Sequence, residues 1–173
     1  MRNLSAAVLA AVATFCVTAA SADNSEVERG KYLVTLGGCN DCHTPGYFLG
    51  KPDFSRALSG SDVGFAIPGV GAFVGRNLTP DKETGLGDWT DDQIISAITA
   101  GVRPDGRRLA PIMPYQGLSH LTSDDAKAIV AYLRSLPPVK NAVPGPFGPK
   151  DVPSTLVFVI VPGGVSTKLQ APQ

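Results

Sequence analysis

Apolar residues recur with helical spacing in three stretches of the chain and lose that spacing between them. In the first, Val27, Leu33, Val34 and Leu36 fall within helical reach, Ser25 and Glu28 stand in capping-box relation, and Gly37-Gly38 gives a stop. This predicts a helix from Ser25 that ends directly at Cys39. Gly30 in its middle costs about 1 kcal/mol relative to alanine, which marks either a close approach by another helix or an ordinary surface position. In the second, Thr90 and Gln93 form another capping box ahead of Ile94, Ile95, Ala97 and Ile98, with Gly101 as the stop. The third runs from Ser123 to about Leu136, with Ala126, Ile129, Val130, Leu133 and Leu136 on one face, acids in its first turn, Arg134 near its end, and Pro137-Pro138 closing it.

From Thr44 to Gly75, glycines and Pro45, Pro52 and Pro68 break every apolar run. The expectation there is loop, with Phe65-Ala66-Ile67 as a short extended piece and Phe48, Phe54, Phe65 and Phe73 as apolar cover. Residues 139–173 are Pro- and Gly-rich apart from Thr155 to Val161, a strip too short for the roughly 20 residues of a spanning helix. It reads as a strand or extended strip lying on the domain, or as a docking surface for a partner.

The N-terminus changes this picture. Arg2, an apolar run from Leu4 to about Val17, and Ala20-Ser21-Ala22 before Asp23 have the layout of a secretory signal, with a retained membrane anchor as the alternative. Cleavage near Ala22/Asp23 removes Cys16 and leaves Cys39 and Cys42 as the cysteines of the mature chain, in an exported, periplasmic protein. The expected division is a signal over 1–22, one domain over 23–138 and an extension over 139–173. With 15 Lys+Arg against 15 Asp+Glu, nothing in the charge points to nucleic acid, and no transmembrane span is expected in the mature chain. The 19 glycines and 15 prolines cluster between the helical patterns, which suggests a few helices joined by long loops around a cofactor.

That cofactor is indicated by Cys39-Asn40-Asp41-Cys42-His43, a Cys-x-x-Cys-His motif. Two thiols at this spacing can each add to a vinyl group of one haem, and the histidine that follows can bind its iron. A structural disulfide, a thioredoxin-like pair and a zinc site that enlists His120 are the alternatives, and the zinc spacing fits no common finger. One motif implies one covalently bound haem c. Met113 is the candidate second axial ligand, because it lies between Pro111 and Pro114 in a segment that cannot be helical and carries a soft thioether. His120, just before the third helix, is its rival. Trp89 either hydrogen-bonds a haem propionate through its ring N–H or closes the core. Arg103, Arg107 and Arg108 either steer an acidic partner, pair with propionates, or are simply solvated.

Taken together, the helix leading into Cys39-x-x-Cys42-His43, the loop methionine and the helix beyond it resemble the class I c-type cytochromes, over about Ser25 to Pro138. The resemblance implies an all-α cytochrome c fold of three to four helices, with the first and last crossed so that Gly30 meets Tyr132. Asn77-Leu78-Thr79-Pro80-Asp81, the run Gly85 to Thr90, Pro111 to Tyr115 and Ala131 to Pro138 look like single haem domains of the cytochrome subunits of periplasmic alcohol, aldehyde and sugar-acid dehydrogenases. That likeness makes Arg76, Asn77 and Trp89 the propionate side. It implies a single-electron carrier rather than an enzyme, with His43 and Met113 as iron ligands, a periplasmic dehydrogenase as donor, and an oxidase or another cytochrome as acceptor. The competing class is a haem enzyme or gas sensor with a labile sixth ligand. A dedicated subunit of one dehydrogenase complex is a further possibility.

Overall fold

The computed structural model describes residues 15–159 and 161, with side chains from Asn24 onward. The N-terminal segment read as a signal therefore lies largely outside the described residues. Five α-helices are present among those described: α1 (Phe15–Leu36), α2 (Cys39–His43), α3 (Asp91–Ala100), α4 (Tyr115–Leu118) and α5 (Ser123–Ser135). Short 3-10 turns occupy Tyr47–Leu49 and Phe54–Arg56.

The first helix stops where expected, with Gly37 N–H bonded to the Leu33 carbonyl at 2.8 Å, but it starts earlier. The alanine-rich sequence before Ser25 contains no glycine or proline, so the helix runs through Ser25 and the predicted cap does not begin it. Helices α3 and α5 form as their caps dictate. Thr90 Oγ1 accepts from Gln93 N–H at 3.2 Å while Gln93 Oε1 accepts from Thr90 N–H at 2.9 Å, and Gly101 ends α3 at a left-handed φ of 67°. Thr122 caps α5 through Asp125 N–H at 3.1 Å.

Helices α1 and α5 cross at Gly30. A Cβ built there would lie 1.8 Å from the Ala128 carbonyl oxygen and 2.8 Å from Tyr132 Cβ, so the contact requires glycine. Around the crossing Val34, Ile94, Ile129, Val130 and Leu133 join Leu58 and Leu86 in the buried core.

The all-α expectation needs correction, because the region between α2 and α3 and the C-terminal segment build a three-stranded sheet of order β2-β1-β3. Strand β1 (Val63–Ile67) pairs antiparallel with β2 (Gly71–Val74), turning at Pro68-Gly69, and β3 (Leu156–Val159) pairs parallel with β1. Gly64 is needed in β1, since a Cβ there would meet the Phe73 carbonyl oxygen at 2.8 Å. The rings of Phe48, Phe65 and Phe158 seal the β1–β3 side, with Phe48 edge-on to each of the other two at 5.4 Å. The strip at the C-terminus thus lies on its own domain as a strand. Among the described residues no helix is long and apolar enough to cross a membrane.

Candidate haem site

Gly38, at a left-handed φ of 64°, turns the chain from α1 into the single helical turn α2. Cys39 and Cys42 are three residues apart and so share one side of that turn, and both are free thiols. Thr44 N–H closes the turn on the Asn40 carbonyl at 3.0 Å. The Thr44 side chain, fully buried, donates to Asn40 Oδ1 at 2.9 Å and accepts from Leu58 N–H at 3.0 Å. Leu58 is itself buried with φ at 60°, a left-handed conformation that swings Ser59 and Gly60 back toward the motif. Gly60 N–H then donates to the His43 carbonyl at 2.8 Å.

His43 is held from its other side as well. Its Nδ1 lies 2.7 Å from the Arg76 carbonyl oxygen, an acceptor, so Nδ1 carries the proton and Nε2 keeps the lone pair. Burial lowers the imidazole pKa, partly offset by that carbonyl, and the ring is neutral near pH 7 as a metal ligand must be. Gly75 brings the Arg76 strand close, since a Cβ on it would fall 1.6 Å from the Cys42 carbonyl oxygen and 3.4 Å from His43 Nδ1.

Both thiols are held in the protonated form. Burial pushes Cys39 up to about 11, with smaller contributions from Cys42 and Asp41, and burial followed by Asp41 raises Cys42. A thioredoxin-type pair needs a depressed pKa. The zinc alternative has no ligand set either, because among the described residues no three His, Cys, Asp or Glu side chains converge, and His120 is exposed.

The remaining predicted residues separate into two groups. Asn77 is 2 % exposed and its amide N–H groups donate to Thr84 Oγ1 at 3.0 Å and the Val139 carbonyl at 2.7 Å, while Oδ1 accepts from Thr79. No N–H of that amide is left for an outside anion. Arg76 is half-buried, and its guanidinium donates to the Val143 carbonyl. Trp89 packs on the core, and Arg103 lies over its ring at 5.1 Å from the centroid.

Arg103 differs from its neighbours in sequence. Its Nε is buried without a hydrogen-bond partner, 3.7 Å from the nearest Asp105 oxygen, whereas Arg107 is exposed and ion-paired with Asp105 at 2.7 Å, and Arg108 is exposed. Burial lowers the Arg76 pKa, and repulsion from Arg103 and Arg107 lowers it further, so these cations share one locality. A buried donor without an acceptor, beside converging positive charge, suits an anionic group. Sequence spacing alone could not separate Arg103 from Arg107 and Arg108.

Met113 is half-buried on a separate segment, its N–H bonded to the Ala110 carbonyl at 2.9 Å and its carbonyl accepting from Tyr115 N–H at 2.8 Å. The segment is anchored where Tyr115 covers Gly101, whose Cβ position would be 2.7 Å from the ring. A short helix, α4, follows Pro114 directly, so only the residues up to Pro114 are non-helical.

This donor set fits a covalently held haem: paired un-ionised thiols on one helical turn, a neutral imidazole with its Nδ1 fixed, and a buried guanidinium Nε that no hydrogen-bond acceptor satisfies. Known proteins point the same way. The chain is 35% identical over 137 residues to the fructose dehydrogenase cytochrome subunit of Gluconobacter japonicus, covering 75% of this chain and 26% of that protein. It is 33% identical over 143 residues to the gluconate 2-dehydrogenase cytochrome c subunit of Pantoea cypripedii, covering 82% and 30% respectively. It is 34% identical over 131 residues to the cytochrome c subunit of the quinone alcohol dehydrogenase of Gluconobacter oxydans, covering 75% and 26%. The chain thus spans less than a third of the length of these relatives. A family model described as cytochrome c matches residues 27–137, the same interval that holds the crossed helices, the thiols and the anchored imidazole, and the chain belongs to the cytochrome c family.

Proposed function

We propose that this chain is a periplasmic electron carrier that would hold one haem c through thioethers to Cys39 and Cys42, with His43 and Met113 as the residues that would bind its iron. When bound, the group supplies one-electron cycling of its iron between the ferric and ferrous states. The observation that carries the proposal is the fixed His43 ring, held at its carbonyl by Gly60 and at Nδ1 by Arg76, next to two free thiols. Cys39 and Cys42 tether the ring edge, His43 presents Nε2, and Met113 contributes a thioether that favours the reduced state. With His43 and Met113 both holding the iron, no ligand position would be left for substrate, and the chain would act as a carrier rather than an enzyme.

Trp89 and Arg103 are the residues best suited to the propionates, since the buried Arg103 Nε has no hydrogen-bond partner and the Arg103 guanidinium lies over the Trp89 ring. Arg76 adds positive charge to the same locality. The relatives named as cytochrome subunits of fructose, gluconate and alcohol dehydrogenases support a dehydrogenase as donor; an oxidase or another cytochrome is the acceptor we propose. The N-terminal signal pattern supports export, and the single Cys-x-x-Cys-His motif supports one haem.

The test is expression with export and haem-attachment machinery, followed by denaturing electrophoresis and a stain for haem. Wild-type chain retains one haem equivalent after denaturation, and the Cys39→Ser, Cys42→Ser double variant retains none. Haem that leaves the wild-type chain on denaturation contradicts the proposal.

A further inference from the structure

Beyond the motif and its ligands, one segment reaches every element that holds His43. After α5 the chain runs back across the molecule as an irregular strap. Val139 N–H donates to Thr79 Oγ1 at 3.1 Å and its carbonyl accepts from Asn77. Asn141 donates from its backbone to Thr84 Oγ1 at 2.9 Å and from its side chain to the Ser59 carbonyl at 2.9 Å. The Val143 carbonyl accepts from Arg76, and Val143 Cγ2 fills the place where a Cβ on Gly60 would be, 2.3 Å away. Phe147 closes the strap by exchanging two backbone hydrogen bonds with Ala72, at 2.9 and 3.0 Å.

These attachments are not spread at random. Ser59-Gly60 and Arg76-Asn77 are the segments whose inner sides touch His43, one at its carbonyl and one at Nδ1. The strap holds the outer sides of both. We propose that Val139–Phe147 braces the His43 ring from behind, with Arg76 as the positioning residue that couples the strap to the imidazole. This rests on His43 being an iron ligand. Arg76 acts at both ends, since its guanidinium is fixed by Val143 while its carbonyl fixes Nδ1–H. A firm Nδ1–H···O=C bond raises the basicity of a ligating imidazole and stabilises the oxidised metal, so loosening the strap raises the reduction potential.

The test uses haem-loaded protein and three variants, Arg76→Lys, Asn141→Ala and Val143→Ala. Arg76→Lys keeps the charge but loses the planar donor geometry, and the other two alter the strap without changing any charge. Two quantities are read: the midpoint potential, and the solvent exchange of the paramagnetically shifted His43 ring N–H. The brace predicts a higher potential in all three and ring N–H exchange about tenfold faster in Arg76→Lys, the loss of one hydrogen bond from a charged donor. Variants that melt earlier while the potential stays at the wild-type value overturn the proposal, as does an Arg76→Lys variant in which only one of potential and exchange changes. A wild-type spectrum with no paramagnetically shifted His43 ring resonance defeats the ligand assignment itself, a failure distinct from that of the strap alone.

Discussion

Gly30 lacks a side chain because the Ala128 carbonyl occupies the place where one would stand. Gly30→Ala would force α1 and α5 apart and destabilise the protein by about 3 kcal/mol, the upper end of ordinary overpacking, readable by denaturant unfolding. A change within 0.5 kcal/mol of wild type, the range of an ordinary surface position, would contradict the close crossing. This residue was legible in the sequence, since a glycine inside an amphipathic helix costs stability unless space demands it. Gly60 and Gly75 were not, although each is as tightly confined, because Val143 and Cys42 lie far from them along the chain. The resemblance puts Asn77 on the propionate side; its amide hydrogens go to Thr84 and to Val139, an acceptor that no local pattern announces.

Among elements, the three longer helices and the extended pieces at Phe65-Ala66-Ile67 and from Thr155 were legible, whereas the pairing of those pieces into a sheet and the short helices α2 and α4 were not. The cap of α3 is a short-range device whose donors and acceptors lie three residues apart, and it forms as written, while Thr122 caps α5 at the same spacing. The start of α1 fails the same logic, because Ser25 is overridden by helix-forming residues before it. Strands β1 and β2 are short, contain Gly64 and Gly71, and present no clean alternation, while β3 finds its parallel partner about ninety residues earlier. The α1–α5 crossing carries a charge tie in Arg29 Nε to Asp125 Oδ1 at 2.9 Å. The hydrogen bond from Arg29, aided by its charge, holds the Asp125 carboxyl below the usual carboxylate range. A depressed acid contributes stability that is complete above its unfolded value, near pH 4, and is lost as pH falls through its folded value. Asp125→Asn therefore lowers the midpoint of thermal unfolding at pH 7 and has progressively less effect below about pH 4. An undiminished difference between the two proteins at pH 2 would contradict the tie.

At the scale of the whole molecule, helices, sheet and strap converge on one five-residue turn. The crossed helices set where α2 begins, the 44–84 region encloses His43, and the strap backs that region from outside. The family could be read from the motif and the helix order, whereas the enclosure rests on contacts between distant Gly- and Pro-rich segments with no local signature. The central proposal is that His43 in this enclosure and Met113 would together hold the iron of one haem, leaving no position for substrate and suiting the group to passing electrons. Carbon monoxide binding to the ferrous haem-loaded protein, compared between wild type and Met113→Ala, tests it most directly. The account predicts a wild type that resists the ligand and keeps a sulfur-to-iron charge-transfer band when ferric, and a variant that loses the band and binds carbon monoxide readily. Ready binding by the wild type, or a band that survives in Met113→Ala, would contradict it.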